Sequence, residues 1–139
     1  MINEEDSKLI NSIKEGEGFR SKPYRCTAGK LSIGYGRNLD DGGISRDEAE
    51  TLLKNDVREA IKLLDRNMPG WKEHPLDVQR VLIEMAFNLW NRLFGFKKMY
   101  AALKEKNYYK ASLEMTDSLW ARQVGDRAKR LTTLMREAK

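Results

Sequence analysis

Residues 17–36 read EGFRSKPYRCTAGKLSIGYG, and the change of periodicity within this stretch sets the fold class. Upstream of it, Leu9, Ile10 and Ile13 fall at helical spacing. Residues 4–16 are therefore expected to form a short helix capped by Asn3. Glu4, Glu5 and Asp6 would occupy its first turn, where the helix dipole favours negative charge. Gly16 and Gly18 break the pattern, and Glu17 falls four positions after Ile13, where the helix ends. Past Pro23 and Tyr24, a turn around Thr27 to Lys30 leads into Leu31-Ser32-Ile33-Gly34-Tyr35-Gly36. Its glycines and alternation predict a small antiparallel hairpin.

Downstream the pattern is helical. Ser45 with Glu48 three residues on forms a capping box. Ala49, Leu52, Leu53, Val57, Ala60, Ile61 and Leu64 then recur at helical spacing, predicting a long amphipathic helix over 45–65. Met68-Pro69-Gly70 ends it. Residues 76–92 carry Val78, Val81, Leu82, Met85, Ala86, Leu89 and Trp90, a stripe wide enough for a central core helix. Shorter helices are expected over 96–106, 108–116, 118–124 and 126–137. Trp71, Trp90 and Trp120 are read as core residues, and His74 as a cap or surface residue. The fold class is α+β, mostly α: a small hairpin lobe at 14–45, a connecting helix at 45–65, and a helical bundle at 66–139 joined by the N-terminal helix, all in one domain.

Composition narrows the function. The 139 residues suit one domain, and 40% hydrophobic with 34% charged residues exclude disorder. No apolar run approaches the roughly 20 residues of a membrane span, and the polar, acidic start does not read as a secretory leader. Cys26 is the only cysteine and His74 the only histidine, which leaves no internal disulfide and no zinc constellation. No Walker motif is present. The net charge of +5 is uneven, with 11 Lys/Arg against 5 Asp/Glu in residues 97–139. A positive end suits nucleic acid, an anionic membrane surface or an anionic wall, or is simply a solvated helical face.

Glu17-Gly18-Phe19-Arg20, Tyr24, Cys26 nine residues after Glu17, and Ser32 six further on within Ser32-Ile33-Gly34-Tyr35-Gly36 resemble the start of the phage T4-type lysozymes, glycoside hydrolase family 24. Met85-Ala86-Phe87-Asn88 resembles the central-helix signature of that family. Ser118-Leu119-Trp120 and Asp126-Arg127-Ala128-Lys129-Arg130-Leu131-Thr132-Thr133 resemble its C-terminal motif. A register from Glu15 fails, because nine residues on lies Tyr24 and no arginine follows at three. Cys26 stands where many members carry Asp, Ser32 where Thr is usual, and Arg37 where a histidine is usual.

The resemblance implies a lysozyme-like fold and cleavage of the β-1,4 bond between N-acetylmuramic acid and N-acetylglucosamine in peptidoglycan. Leaving-group alkoxides need a proton, which a carboxylic acid supplies; apolar burial and a helix C-terminus favour that protonated form. Glu17 is the candidate acid. Cys26 and Ser32 are candidates to activate and position a water, with Arg25 and Lys30 near enough in sequence to favour a thiolate. Each has a plain structural alternative: a helix-terminal surface acid, a buried cysteine, a strand serine. The resemblance also implies Arg127 near Glu17, Tyr24 in support, and Asn38, Phe87, Asn88, Met99 and Glu114 along the glycan cleft. No metal or cofactor is implied. The expected partner is peptidoglycan, with no nucleic acid, no stable membrane insertion, a monomeric state, and a holin for release from host cytoplasm to periplasm. Two other classes are a catalytically inactive lysozyme-fold protein and a basic membrane-disrupting or wall-binding protein built on residues 126–139.

Overall fold

The computed structural model describes the backbone of all 139 residues and every side chain except that of Leu119. Two compact units emerge, Met1–Thr51 and Leu52–Lys139, with the boundary inside the long helix. The N-terminal helix, grouped with the helical bundle from sequence, falls in the first unit.

In that first unit, helix α1 spans Ser7–Glu17 and is capped by Asp6, whose carboxylate accepts from the Leu9 N–H. The expected cap, Asn3, instead closes a turn by accepting from the Glu5 N–H at 2.8 Å. No residue of α1 is buried, and Leu9 and Ile13 remain exposed. Three strands follow rather than two: β1 (Arg20–Arg25), β2 (Leu31–Gly34) and the short β3 (Arg37–Asn38), an antiparallel sheet in chain order. Pairing sets Tyr24 opposite Ser32 and Ile33 opposite Arg37. The third strand was invisible in sequence because it is two residues long and carries no apolar alternation.

Helix α2 (Arg46–Asn67) opens on the expected capping box. Glu48 N–H donates to Ser45 Oγ at 3.1 Å, and Ser45 N–H donates to Glu48 Oε1 at 2.9 Å. Glu48 also takes a two-pronged ion pair from Arg37, whose Nη1 reaches Oε1 at 2.8 Å and the Gly43 carbonyl at 3.2 Å. Arg37 thus joins β3, the following loop and the start of α2 with planar donor geometry. It occupies the histidine position of the resembled family, and its role there is structural.

The second unit has a contiguous apolar core. Helix α3 (Leu76–Leu89) buries Val78, Val81, Leu82, Met85, Ala86 and Leu89, the stripe its periodicity predicts. It ends at Leu89 rather than at Arg92, because Trp90 turns the chain into a 3-10 segment over Trp90–Gly95. Helices α4 (Lys97–Lys104), α5 (Tyr108–Thr116), α6 (Leu119–Val124) and α7 (Asp126–Arg136) complete it, with α5 against α4 and α7, and α3 also against α7. Leu131 and Met135 of α7 are buried and Leu134 is half-exposed at 37%, so most of that helix's apolar face lies inside. Trp71 and Trp120 are buried as expected; Trp90 is exposed. His74 is half-buried, its Nδ1 2.9 Å from the Tyr108 hydroxyl, and burial lowers its pKa while raising that of Tyr108.

The Arg37 guanidinium holds the Glu48 carboxyl at about 2, well below its ordinary 4.5. A depressed acid stabilises fully above its unfolded value and loses that contribution as pH falls toward its folded one. Carbon-detected NMR titration is expected to place the Glu48 midpoint near 2, and Arg37→Gln to return it toward the ordinary glutamate range.

Candidate active site

Glu17 is the last residue of α1, and Gly18 ends the helix by donating its N–H to the Lys14 carbonyl. The Glu17 side chain is exposed rather than lodged in an apolar pocket, which corrects the sequence expectation. Its apolar neighbours on α1, Leu9 and Ile13, are themselves more than 40% exposed and provide no enclosure. The carboxylate lies instead against the backbone of Gly36. A Cβ built on Gly36 would stand 2.9 Å from Glu17 Oε2 and 3.2 Å from its Cδ, and Gly36 has φ +84°. The dihedral calls for glycine, and a Cβ there would push the flexible Glu17 carboxylate aside.

Cys26 follows β1 at the mouth of a tight turn. Its N–H donates to the Lys30 carbonyl at 2.9 Å, and its own carbonyl accepts from the Gly29 N–H at 2.8 Å. The thiol is half-buried, with its pKa lowered from 9.0. Backbone hydrogen bonding at Lys30 is the main cause, then at Ala28; desolvation opposes them, and the Ser32 hydroxyl adds to the lowering. Ser32 is buried in β2, and its Oγ donates to the Lys30 carbonyl at 3.3 Å. Cys26 and Ser32 thus share one acceptor, the Lys30 carbonyl, which takes the backbone N–H of the first and the hydroxyl of the second.

Arg25 and Lys30 do not supply the expected positive field. Arg25 pairs with Asp40 at 3.1 Å and Lys30 with Asp41 at 3.2 Å. Asp40 also accepts from the Leu31 N–H at 2.7 Å. These cations hold the loop after β3 to the sheet, and the thiol is tuned by backbone dipoles.

Of the supporting residues in this unit, Tyr24 is half-buried with the Arg20 guanidinium 4.6 Å from its ring centroid. The Asn38 side chain is committed to its own loop, donating to Asp41 Oδ2 at 2.8 Å and accepting from the Asp41 N–H at 3.0 Å. In the second unit, Asn88 accepts from the Trp120 indole N–H at 2.7 Å, and its amide nitrogen has no partner among the described residues. Phe87 is half-buried. Arg127 lies 5.9 Å from the Phe87 ring centroid and 3.6 Å from Glu84. Met99 and the half-buried Glu114 line one pocket of about 360 Å³ with Phe96, Lys97, Lys98 and Ser118, and Met99 is wholly buried beneath it. Residue-type reasoning missed Gly36 and the turn amides at Ala28 and Lys30. The Gly34-Tyr35-Gly36 repeat was the available signal for the first; backbone donors leave no mark in side-chain identity.

An exposed carboxyl, a thiol held toward its anion and a buried hydroxyl suit acid–base chemistry on a polar bond. Among the described residues, no group of three or more His, Cys, Asp or Glu is placed to hold a metal ion.

Residues 14–139 match the family model described as phage lysozyme. An endolysin of Acyrthosiphon pisum secondary endosymbiont phage 1 is 31% identical over 107 residues, covering 73% of this chain and 70% of that protein. An endolysin of Bacillus phage B103 is 30% identical across 76% of this chain and 41% of its own length. A probable T4-type lysozyme of Dictyostelium discoideum is 25% identical across 92% of this chain and 93% of its own. These likenesses support a lysozyme function, that of a glycosidase. Matched from residue 14 to its last residue and built as a three-stranded sheet with a helical bundle, the chain belongs to the phage lysozyme family of T4-type enzymes.

Proposed function

We propose that this protein is an N-acetylmuramidase that hydrolyses the β-1,4 bond between N-acetylmuramic acid and N-acetylglucosamine in bacterial peptidoglycan. The observation that carries the reading is the turn that brings Cys26 and Ser32 onto one acceptor, the Lys30 carbonyl, at the family's spacing from Glu17. Glu17 donates a proton to the glycosidic oxygen as the C1–O bond breaks. The electron pair of that bond leaves on the oxygen, which departs as a neutral hydroxyl. A water held by the Ser32 hydroxyl gives its proton to the Cys26 thiolate and adds to the anomeric carbon with inversion. The turn amides favour the thiolate in the way an oxyanion site favours its anion. Arg127 and Tyr24 support the site, and Phe87, Asn88 and Glu114 contribute to glycan binding, with Met99 acting only from beneath the Glu114 pocket. On this reading the protein is a monomer that waits in host cytoplasm, reaches periplasmic peptidoglycan through a holin lesion, and lyses the host; the endolysin names of two relatives support the lytic role alone.

Mass spectrometry of digested sacculi tests the reaction. The wild-type protein is expected to release fragments ending in reducing muramic acid, and Glu17→Gln to lower their yield by on the order of 10²–10⁴. Products with reducing N-acetylglucosamine ends would refute the assigned bond, and a retained β-anomer by NMR would refute inversion.

A base must be deprotonated, so activity should fall as pH drops through the thiol titration. Cys26→Asp is expected to keep activity and move that acid limb to lower pH, because carboxyls titrate several units below thiols. Cys26→Ser is expected to lose activity by on the order of a hundredfold. Equal activity of the Asp and Ser variants across the pH profile would remove Cys26 from proton transfer.

Gly36→Ala is expected to displace the Glu17 carboxylate and lower turnover by on the order of a hundredfold, as displacements near 1 Å do. Circular dichroism should show the fold retained, and unchanged turnover would show that this approach is not needed.

A further inference from the structure

Trp90 ends α3 in a backbone conformation that belongs to glycine, with φ 51° and ψ −127°. The chain adopts nearly the same angles once more, between α6 and α7, and there it uses Gly125, with φ 56° and ψ −118°. This is the conformation of the first central residue in a type II′ turn, where a Cβ crowds the backbone. At residue 90 the sequence puts its largest side chain where glycine sits without strain. Such strain persists only where the surroundings hold it, and it gathers at ligand-binding positions.

The protein interior does not account for the indole. Trp71 and Trp120 are each only 4% exposed, and their ring N–H groups donate to Asp65 and Asn88. Trp90 is 39% exposed, and its ring N–H has no partner among the described residues. Its ring centroid lies 6.2 Å from that of Phe87, with the planes at 45°. The Arg127 guanidinium also approaches the Phe87 ring, 5.9 Å from its centroid. Together the two rings form an angled aromatic surface with a free donor at its edge. A pyranose offers the complement: axial C–H groups for an aromatic face, and hydroxyl or N-acetyl oxygens for an N–H.

We propose that Trp90, with Phe87, is a substrate-binding platform that stacks on a pyranose ring of the glycan strand, and that the strained backbone at residue 90 is retained for it. This inference rests on the glycan reading above. It adds Trp90, which sequence periodicity assigned to the core.

Three measurements on the full chain test it: melting temperature, co-sedimentation with purified Gram-negative sacculi in the Glu17→Gln background, and release of reducing ends. Trp90→Gly is expected to melt above wild type, because it relieves the dihedral strain. It is also expected to weaken sedimentation and raise the half-saturating sacculus concentration roughly five- to tenfold, the size of one lost aromatic contact. The loss should fall on KM more than on kcat. Trp90→Phe should recover most of the binding without the gain in melting temperature. A Trp90→Gly protein that melts higher yet sediments and saturates like wild type overturns the platform while leaving the muramidase reading intact. Sacculi that bind through Trp90 but yield no reducing ends support the platform and overturn the muramidase reading.

Discussion

The chemistry proposed here depends on a steric constraint: a carboxylate at the end of one helix packed against a backbone with no side chain. Glu17 has no apolar enclosure and no buried ion pair in its own unit to fix it. What orients it is the absence of a Cβ at Gly36, which lets the acid rest on the strand connection leading into β3. The same connection continues into Arg37, which is anchored on Glu48 at the head of α2. Helix end, sheet and long helix are thus joined through two adjacent residues. One contributes by having no side chain, the other by having a long, planar, charged one.

The turn after β1 explains how a thiol can occupy a carboxylate's position. Backbone hydrogen bonding at Lys30 and Ala28 lowers the pKa of the thiol at residue 26, and the nearby cations are already neutralised by Asp40 and Asp41. Backbone donors stabilise charge without specifying which atom bears it, so the turn is compatible with sulfur or oxygen there. Ser32, buried beside it, is bound on one side to the Lys30 carbonyl. The hydroxyl is therefore held without the methyl group that a threonine would use to limit its rotamers.

The sequence displayed the helices well because they obey a period: the α3 stripe and the Ser45–Glu48 box are both found where spacing puts them. It displayed the spacing of Glu17, Cys26 and Ser32. It did not display β3, whose two residues carry no pattern, nor the switch of cap from Asn3 to Asp6, which depends on competing local turns. It misled at Trp90, because an apolar residue continuing a helical stripe looks identical whether the helix continues or stops. Arg25 and Lys30 were misread for a related reason: charge near in sequence says nothing about which acid, 11 to 15 residues away, has already claimed it.

Within the first unit only Ser32 is buried, so that sheet has no apolar core of its own. It is stitched by main-chain ladders and by three exposed ion pairs, Arg25–Asp40, Lys30–Asp41 and Arg37–Glu48. Pairs of that kind weaken as counterions crowd in, over a Debye length that shrinks from about 10 Å at 0.1 M to about 3 Å at 1 M. The unit carrying Glu17 and Cys26 is therefore the one more responsive to the ionic strength of the medium. The helical bundle, held by hydrocarbon packing, is nearly indifferent to it.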